Sequence, residues 1–106
     1  MAKPTLPNNR EAQILSILIN GEKYGRAIRN EYENRTGTAM PLGSLYTTLD
    51  RMEEKGFVTA RLGEATKARG GIPRKYFRLT AMGTASLNAF EAWCAGFREA
   101  RRIVSR

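Results

Sequence analysis

The sequence predicts an α+β fold that is mostly helical, with three helices, a two-stranded hairpin and a long fourth helix. Three observations predict it: apolar residues recur at helical spacing up to residue 56, they alternate on both sides of a glycine-rich stretch, and helical spacing then returns. With 106 residues, the chain is long enough for one domain and too short for two.

The first helix is predicted to begin at Asn8, because Asn8 and Glu11 have the spacing of a capping box. It should run to about Asn20 and stop at Gly21. Its apolar stripe includes Leu15 and is wider than one small core needs. We therefore expect part of this stripe to face another chain.

The second and third helices are predicted from residues that start and stop helices. The second should begin near Lys23 or Tyr24, with Gly37 just after its end. Pro41 is typical of the first turn of the third helix, which Lys55 should end. One face of this third helix is apolar: Leu42, Leu45, Leu49 and Met52. The opposite face carries small and polar residues: Gly43, Ser44, Thr47, Thr48 and Arg51.

A basic hairpin follows between Phe57 and Thr80. Its strands are predicted at residues 57–62 and 75–79, and the connection between them contains Gly70, Gly71 and Pro73. The hairpin has six cations and one anion, Glu64. The cations are Arg61, Lys67, Arg69, Arg74, Lys75 and Arg78. Such charge favours contact with phosphates, although it also protects exposed strand edges.

The last helix is predicted from residue 81 to about Val104, after a cap at Thr80. Its apolar residues recur at steps of three and four, which is nearer 3.5 than 3.6 and indicates a partner helix. At about 1.5 Å per residue, it is roughly 36 Å long, more than a domain of this size can cover. We therefore expect a two-fold homodimer. Its expected interface comprises Leu15, Ile19, Leu87, Phe90, Trp93, Phe97, Ala100 and Val104.

Composition limits the classes of function. The net charge of +8 favours a polyanionic partner, either nucleic acid or an anionic membrane surface. The chain has no histidine and one cysteine, Cys94, so we expect no metal site, no cofactor and no catalytic constellation. It shows no apolar run of membrane-spanning length and no signal peptide, so we expect a cytoplasmic protein.

The predicted order of elements is that of a winged helix-turn-helix with an added C-terminal dimerisation helix. We call the hairpin, residues 57–80, the wing. The expected organisation is an N-terminal arm (1–7), a DNA-binding domain (8–80) and a dimerisation helix (81–106). In this arrangement the polar face of the third helix meets the major groove. Its Ser and Thr side chains specify bases weakly, whereas Tyr46 either reaches DNA or packs beneath the helix.

The sequence also resembles the PadR-type transcriptional regulators, over residues 14–87. The matching segments, in order, are Ile14-Leu15-Ser16-Ile17-Leu18, Gly21, Tyr24-Gly25, Ile28, Gly43-Ser44-Leu45-Tyr46, Leu49, Arg51-Met52-Glu53, Gly56-Phe57-Val58, Arg74-Lys75-Tyr76-Phe77-Arg78-Leu79-Thr80 and Gly83. The resemblance implies a homodimeric repressor that binds operator DNA through the third helix, the wing and the start of the second helix. It also implies that the last helix packs on the partner's first helix.

The resulting candidate DNA contacts are Tyr24, Arg26, Ser44, Tyr46, Thr47, Arg51, Lys67, Arg69, Arg74 and Lys75. Thr47 departs from the family, which often has proline there. Some family members sense phenolic acids or planar drugs, so a small aromatic effector against Trp93 is a further expectation. Two other functions fit the residues: a nonspecific architectural DNA-binding protein, and a winged-helix module that binds another protein.

Overall fold

The computed structural model describes residues 5–64 and 70–104, with side chains up to residue 102. Its elements are α1 (Asn9–Leu18), β1 (Lys23–Tyr24), α2 (Gly25–Thr36), α3 (Leu42–Glu54), β2 (Val58–Leu62), β3 (Lys75–Leu79) and α4 (Ala81–Val104). The predicted fold, a mostly helical winged helix-turn-helix with an added C-terminal helix, is confirmed. In the described ranges, no helix is both long enough and apolar enough to span a membrane.

The helix ends follow the predicted capping residues closely. The Asn8 side chain accepts a hydrogen bond from the Glu11 amide at 2.8 Å, and Glu11 accepts one from the Asn8 amide at 2.9 Å. The predicted capping box is therefore confirmed. Gly37 ends α2 with a φ of 70°, the left-handed conformation that glycine adopts without a steric penalty. Pro41 lies one position earlier than predicted, at the N-cap of α3.

The start of α2 corrects the sequence-based prediction. Lys23 and Tyr24 form a short strand, and the helix begins at Gly25. In this strand Lys23 pairs with Phe77, and Tyr24 pairs with Tyr76. The sheet is antiparallel in the order β1-β3-β2, so β3 is its central strand. Two residues are too few for an alternation pattern, and only the pairing with β3 makes them a strand.

The core lies between the helices and the inner face of the sheet. Its members are Ala12, Ile14, Leu15, Ile17, Leu18, Ile28, Tyr32, Met40, Leu45, Leu49, Met52, Phe57, Val58, Phe77 and Leu87. The predicted apolar face of α3 is confirmed, with Leu42 only partly buried. Pro7, predicted to belong to an extended arm, is buried.

Thr80 joins the wing to α4. Its hydroxyl accepts a hydrogen bond from the Gly83 amide at 2.9 Å, so the predicted cap is confirmed. Gly83 lies against the Phe57 carbonyl, and a Cβ at this position would come within 3.0 Å of Leu79 Cδ2. This close approach fixes the beginning of α4 against the wing. Beyond Cys94, the helix is exposed through residue 102.

Candidate nucleic-acid interface

A cleft of about 660 Å³ lies where α2, α3 and the wing meet. It is lined by Tyr24, Gly25, Arg26, Tyr46, Ile72, Pro73, Arg74 and Lys75. Five of these residues were predicted DNA contacts: Tyr24, Arg26, Tyr46, Arg74 and Lys75. The fold thus brings three separate stretches of sequence together at one surface, which we call the wing cleft.

Tyr46 packs directly over Gly25 at the floor of the wing cleft. A Cβ on Gly25 would lie 2.7 Å from Tyr46 Cζ, which is closer than real side chains approach. Tyr46 is nevertheless 38% exposed. The two alternatives for Tyr46 from the sequence are therefore compatible: the ring packs on α2, and part of it is open to the cleft.

In the part of the chain that the structure describes, no carboxylate neutralises the cations of the wing cleft. Among the described side chains, Arg26, Arg74 and Lys75 form no ion pair. Arg26 and Lys75 are exposed, and the Arg74 guanidinium lies 4.2 Å from the centroid of the Tyr24 ring. A cation that stacks on an aromatic ring keeps its charge and its outward hydrogen-bond donors. The cleft therefore presents positive charge suited to phosphate groups.

Arg61, counted in the sequence among the cations of the wing, is held differently. Its Nε donates to Glu22 Oε2 at 2.9 Å, and a second bond joins its Nη2 to Glu22 Oε1. The hydrogen bond from Arg61 lowers the pKa of the Glu22 carboxyl below its ordinary value of 4.5. Arg61 is thus paired within the protein, unlike the cations of the cleft.

The exposed face of α3 carries Ser44, Thr47 and Arg51, as the sequence predicts. The Thr47 hydroxyl donates to the Gly43 carbonyl at 3.0 Å, and the Thr48 hydroxyl donates to the Ser44 carbonyl at 2.9 Å. With its proton engaged, each hydroxyl retains acceptor capacity, and each threonine also offers a methyl group. The donors that this face can offer to a base edge therefore come from residues other than these two threonines.

Lys55, just after the last residue of α3, forms an ion pair with a residue far away in the chain. Its ammonium lies 2.8 Å from Glu11 Oε2, joining the end of α3 to the start of α1. Glu11 is 1% exposed, so this cation compensates a buried carboxylate. Lys55 is therefore part of a structural ion pair between α3 and α1.

Two candidate DNA contacts at the tip of the wing, Lys67 and Arg69, lie outside the described residues. Gly63 and Arg74 close the base of the wing, where the Gly63 amide donates to the Arg74 carbonyl at 2.6 Å. The base is therefore hydrogen-bonded and places Arg74 at the edge of the cleft.

The candidate dimer residues fall into two groups. Leu15 and Leu87 are 0% and 4% exposed and belong to the core of the protomer, so their expected role as partner contacts is corrected. Ile19, Trp93 and Phe97 are each more than half exposed. Phe90 is partly buried, Ala100 is exposed, and the side chain of Val104 lies outside the described residues.

Trp93 and Phe97 stack on each other, with ring centroids 5.7 Å apart and planes inclined by 11°. A shallow groove of about 210 Å³ runs between α1 and α4 beside them, with Ala12 and Phe90 in its lining. We call the stacked rings together with this groove the α4 face; its exposed apolar part is formed by Trp93 and Phe97, whereas the groove is lined by both polar and apolar residues. In an isolated protomer this surface would be open to water.

Comparison with known proteins identifies the family to which this geometry belongs. The sequence profile of the PadR-like family of transcriptional regulators matches residues 14–89. The chain belongs to the PadR-like family. Its relatives include an uncharacterised protein of Lysinibacillus sphaericus that is 32% identical over 77 residues, which are 71% of this chain and 68% of that protein. Proteins of the PadR-like family are transcriptional regulators and generally not enzymes.

Solved structures share the fold of this PadR-like protein. A PadR-like transcription factor from Bacteroides fragilis is 25% identical, with a TM-score of 0.79, over 90% of this chain and 88% of that one. Bacillus subtilis PadR, solved in complex with operator DNA, is 23% identical with a TM-score of 0.68. That likeness covers 76% of this chain and 46% of PadR and establishes a common fold.

Three residues at or near the interface of this PadR-like chain are not among the contacts predicted from its sequence. Gly25 belongs to a family motif, and its missing side chain makes room for Tyr46. Tyr76 and Glu22 were not candidates, yet both touch the cation-bearing side of the sheet. Successive side chains of a strand point to opposite faces, so the alternation of residues 75–79 already separates Tyr76 from the face of Phe77, which is buried. The pairing of Glu22 with Arg61 joins residues 39 positions apart, and no local pattern in the sequence indicates it.

Proposed function

We propose that this PadR-like regulator is a homodimeric repressor that binds pseudo-palindromic operator DNA through α3 and the wing. The wing cleft carries the proposal, because it groups cations that form no ion pair with any described side chain at the junction of α2, α3 and the wing. Operator binding by Bacillus subtilis PadR, which has the same fold, supports it. The proposal places the protein in the cytoplasm with the DNA that it regulates.

The proposed role of each segment follows the organisation of the chain expected from the sequence. Residues 8–80 bind DNA, residues 81–106 form the dimer, and residues 1–7 are an arm that precedes the first helix. The candidate contacts are Tyr24, Arg26, Ser44, Tyr46, Thr47, Arg51, Lys67, Arg69, Arg74 and Lys75. Phosphate contacts from the wing supply affinity, and α3 supplies base preference.

In the proposed homodimer, the α4 face of each protomer packs against its partner. The last helix of one protomer lies on the first helix of the other. The exposure of Ile19, Trp93 and Phe97 supports this part of the proposal, because a stable interface buries apolar residues of this kind. Two copies related by a two-fold axis would then present two α3 helices to successive half-sites of an operator.

Selection of bound fragments from genomic DNA tests the specificity, and a mobility-shift titration measures it. We expect a palindromic site to be enriched, with affinity at least about a thousandfold above random duplex at one salt concentration. The triple alanine variant of Lys67, Arg69 and Arg74 should lose affinity for every duplex. Equal affinity for all sequences would contradict an operator-specific repressor. A reporter gene downstream of the selected site then distinguishes repression from activation.

A nonspecific architectural DNA-binding protein is the second candidate. One observation favours it: the Thr47 and Thr48 hydroxyls donate to carbonyls within α3, so neither proton is available for reading a base. Its signature is a steep dependence of affinity on salt without any preferred sequence. The same titration, repeated with scrambled duplex, separates the two functions.

A planar aromatic effector is the ligand class that would suit Trp93 on the α4 face. Phe97 covers one side of this indole, so such a ligand would use the other side or separate the two rings. Trp93 is the single tryptophan of the chain, so quenching of its fluorescence reports directly on this position. Unchanged fluorescence across a series of phenolic acids would argue against an effector of this class.

A further inference from the structure

Tyr76 lies at the centre of a series of contacts that crosses all three strands. The antiparallel register places it opposite Tyr24 of β1 on one side and Arg61 of β2 on the other. Side chains opposite each other in an antiparallel pair share a face of the sheet and touch. The Tyr24 and Tyr76 rings meet edge to face, with centroids 5.9 Å apart and planes inclined by 76°. The Arg61 guanidinium lies 4.8 Å from the Tyr76 centroid.

Both ends of the series are charged. At one end, Arg61 is fixed by its ion pair with Glu22. At the other end, the Arg74 guanidinium lies 4.2 Å from the Tyr24 ring, at the edge of the wing cleft. The order of contacts is therefore Glu22, Arg61, Tyr76, Tyr24, Arg74. Glu22 and Arg61 neutralise each other, whereas Arg74 forms no ion pair among the described side chains.

An exposed arginine adopts many rotamers and loses that freedom when it binds a phosphate. The Tyr24 ring beneath Arg74 removes part of this cost in advance, because it gives the guanidinium a surface on which to stack. Tyr24 can do so only while its own ring is held, and the Tyr76 ring packs against it. A Cβ on Gly63 would come within 2.6 Å of Tyr76 Cε2, so Tyr76 is also packed against the base of the wing.

We propose that Tyr76 is a positioning residue that acts through Tyr24 to hold Arg74 ready for a DNA phosphate. This inference rests on the proposed function, because it concerns the same wing cleft. It assigns a role to a side chain that was not a candidate DNA contact, and it makes Tyr24 the support of a phosphate-binding arginine. Tyr76 acts without touching DNA.

The first test is the salt dependence of DNA affinity for Tyr76→Leu, Tyr76→Phe and Arg74→Ala, measured by fluorescence anisotropy with one operator duplex. Each phosphate contact contributes roughly 0.9 to the slope of log affinity against log salt for each protomer. We expect Arg74→Ala to lower the slope by this amount, because the contact is lost. Tyr76→Leu should weaken binding with no larger change in slope, because Arg74 can still reach the phosphate but loses more rotamer freedom when it binds. Tyr76→Phe, which retains the ring, should bind as tightly as the unmodified protein.

The double variant of Tyr76→Leu and Arg74→Ala makes the test specific. If Tyr76 acts through Arg74, the double variant should bind no more weakly than Arg74→Ala alone. A merely structural role predicts losses of affinity that multiply in the double variant. That result, or an affinity of Tyr76→Leu equal to that of the unmodified protein, overturns the proposal. If Tyr76→Leu does not fold, Tyr24→Leu replaces it in this test, because it removes the ring of β1 that lies between Tyr76 and Arg74.

The second test needs no DNA. A guanidinium stacked on Tyr24 places the δ protons of Arg74 in the ring current, so their NMR signals should be shifted upfield. The shift should persist in Tyr76→Phe and be lost in Tyr76→Leu and Tyr24→Leu. Persistence of the shift in Tyr76→Leu overturns the positioning role whether or not DNA is bound. Absence of DNA binding by the unmodified protein overturns the proposed function instead, and the NMR comparison still decides the role of Tyr76.

Discussion

Tyr46 of α3 lies over Gly25 at the start of α2, where a Cβ would come within 2.7 Å of Tyr46 Cζ. This contact sets the floor of the wing cleft. It also explains why a helix begins with glycine, which is a poor helix former, at this point.

Gly25→Ala should therefore destabilise the protein by about 1–3 kcal/mol, because the added methyl group forces Tyr46 to move. Urea unfolding measures the change. Gly43→Ala is the matched control: among the described residues, a Cβ there would meet no atom within 4 Å apart from its chain neighbours and the backbone of its own helix, and alanine favours a helix. Equal effects of the two substitutions would show that the contact with Tyr46 does not constrain position 25.

Phe97→Ala should weaken dimer association by at least about tenfold and weaken DNA binding with it, because an exposed apolar ring is removed from the α4 face. Light scattering over a concentration series measures the association. Asn88→Ala, an exposed polar position on the same helix, is the control. An unchanged mass for Phe97→Ala at low micromolar concentration would refute the interface.

Lys55→Met should cost about 1–3 kcal/mol of stability, because it leaves the buried Glu11 carboxylate without its cation. The partial exposure of Lys55 keeps the cost below that of a fully buried pair. Adding Glu11→Gln should recover most of the loss, since glutamine can still accept the capping hydrogen bond from Asn8. A Lys55→Met variant as stable as the unmodified protein would show that Glu11 needs no partner.

The substitution Glu22→Gln tests how the stability contributed by the ion pair of Glu22 and Arg61 depends on pH. Because Arg61 lowers the pKa of Glu22 in the folded state, the contribution of this pair is complete above the ordinary value of 4.5. It is lost as pH falls through the lower folded-state pKa. The stability difference between the unmodified protein and Glu22→Gln should therefore be present at pH 7 and disappear in acid. A difference that is constant over this range would contradict the assignment.

Thr47 tests the base preference of α3. Its hydroxyl proton is directed to the Gly43 carbonyl, so we expect its methyl group to make the contact that discriminates, against a thymine methyl. Thr47→Val should keep the selected operator sequence. Thr47→Ser should lose about 1 kcal/mol of discrimination at one base pair. Selection of bound DNA with both variants measures the base preference. If Thr47→Ser keeps the selected sequence and Thr47→Val loses it, the hydroxyl and not the methyl group makes the discriminating contact.

The sequence determined the order of elements and most of their ends. Capping at Asn8 and Thr80, the left-handed glycine at Gly37 and the apolar face of α3 are local signals, and local signals depend on a few neighbouring residues. The basic character of the wing was likewise visible, because charge is a property of composition. The candidate contacts of α3 and the wing followed from these patterns together with the family resemblance.

Only the tertiary structure decided which of these side chains meet. It placed Leu15 and Leu87 in the core of the protomer, because the helical spacing of an apolar stripe does not say whether its own chain or a partner covers it. It assigned Lys55 to Glu11, 44 positions away, and Arg61 to Glu22, 39 positions away. It made Lys23 and Tyr24 a strand, since a strand of two residues exists only through its neighbour. Pairing between distant segments depends on strand register and helix packing, and these are set when the whole core assembles.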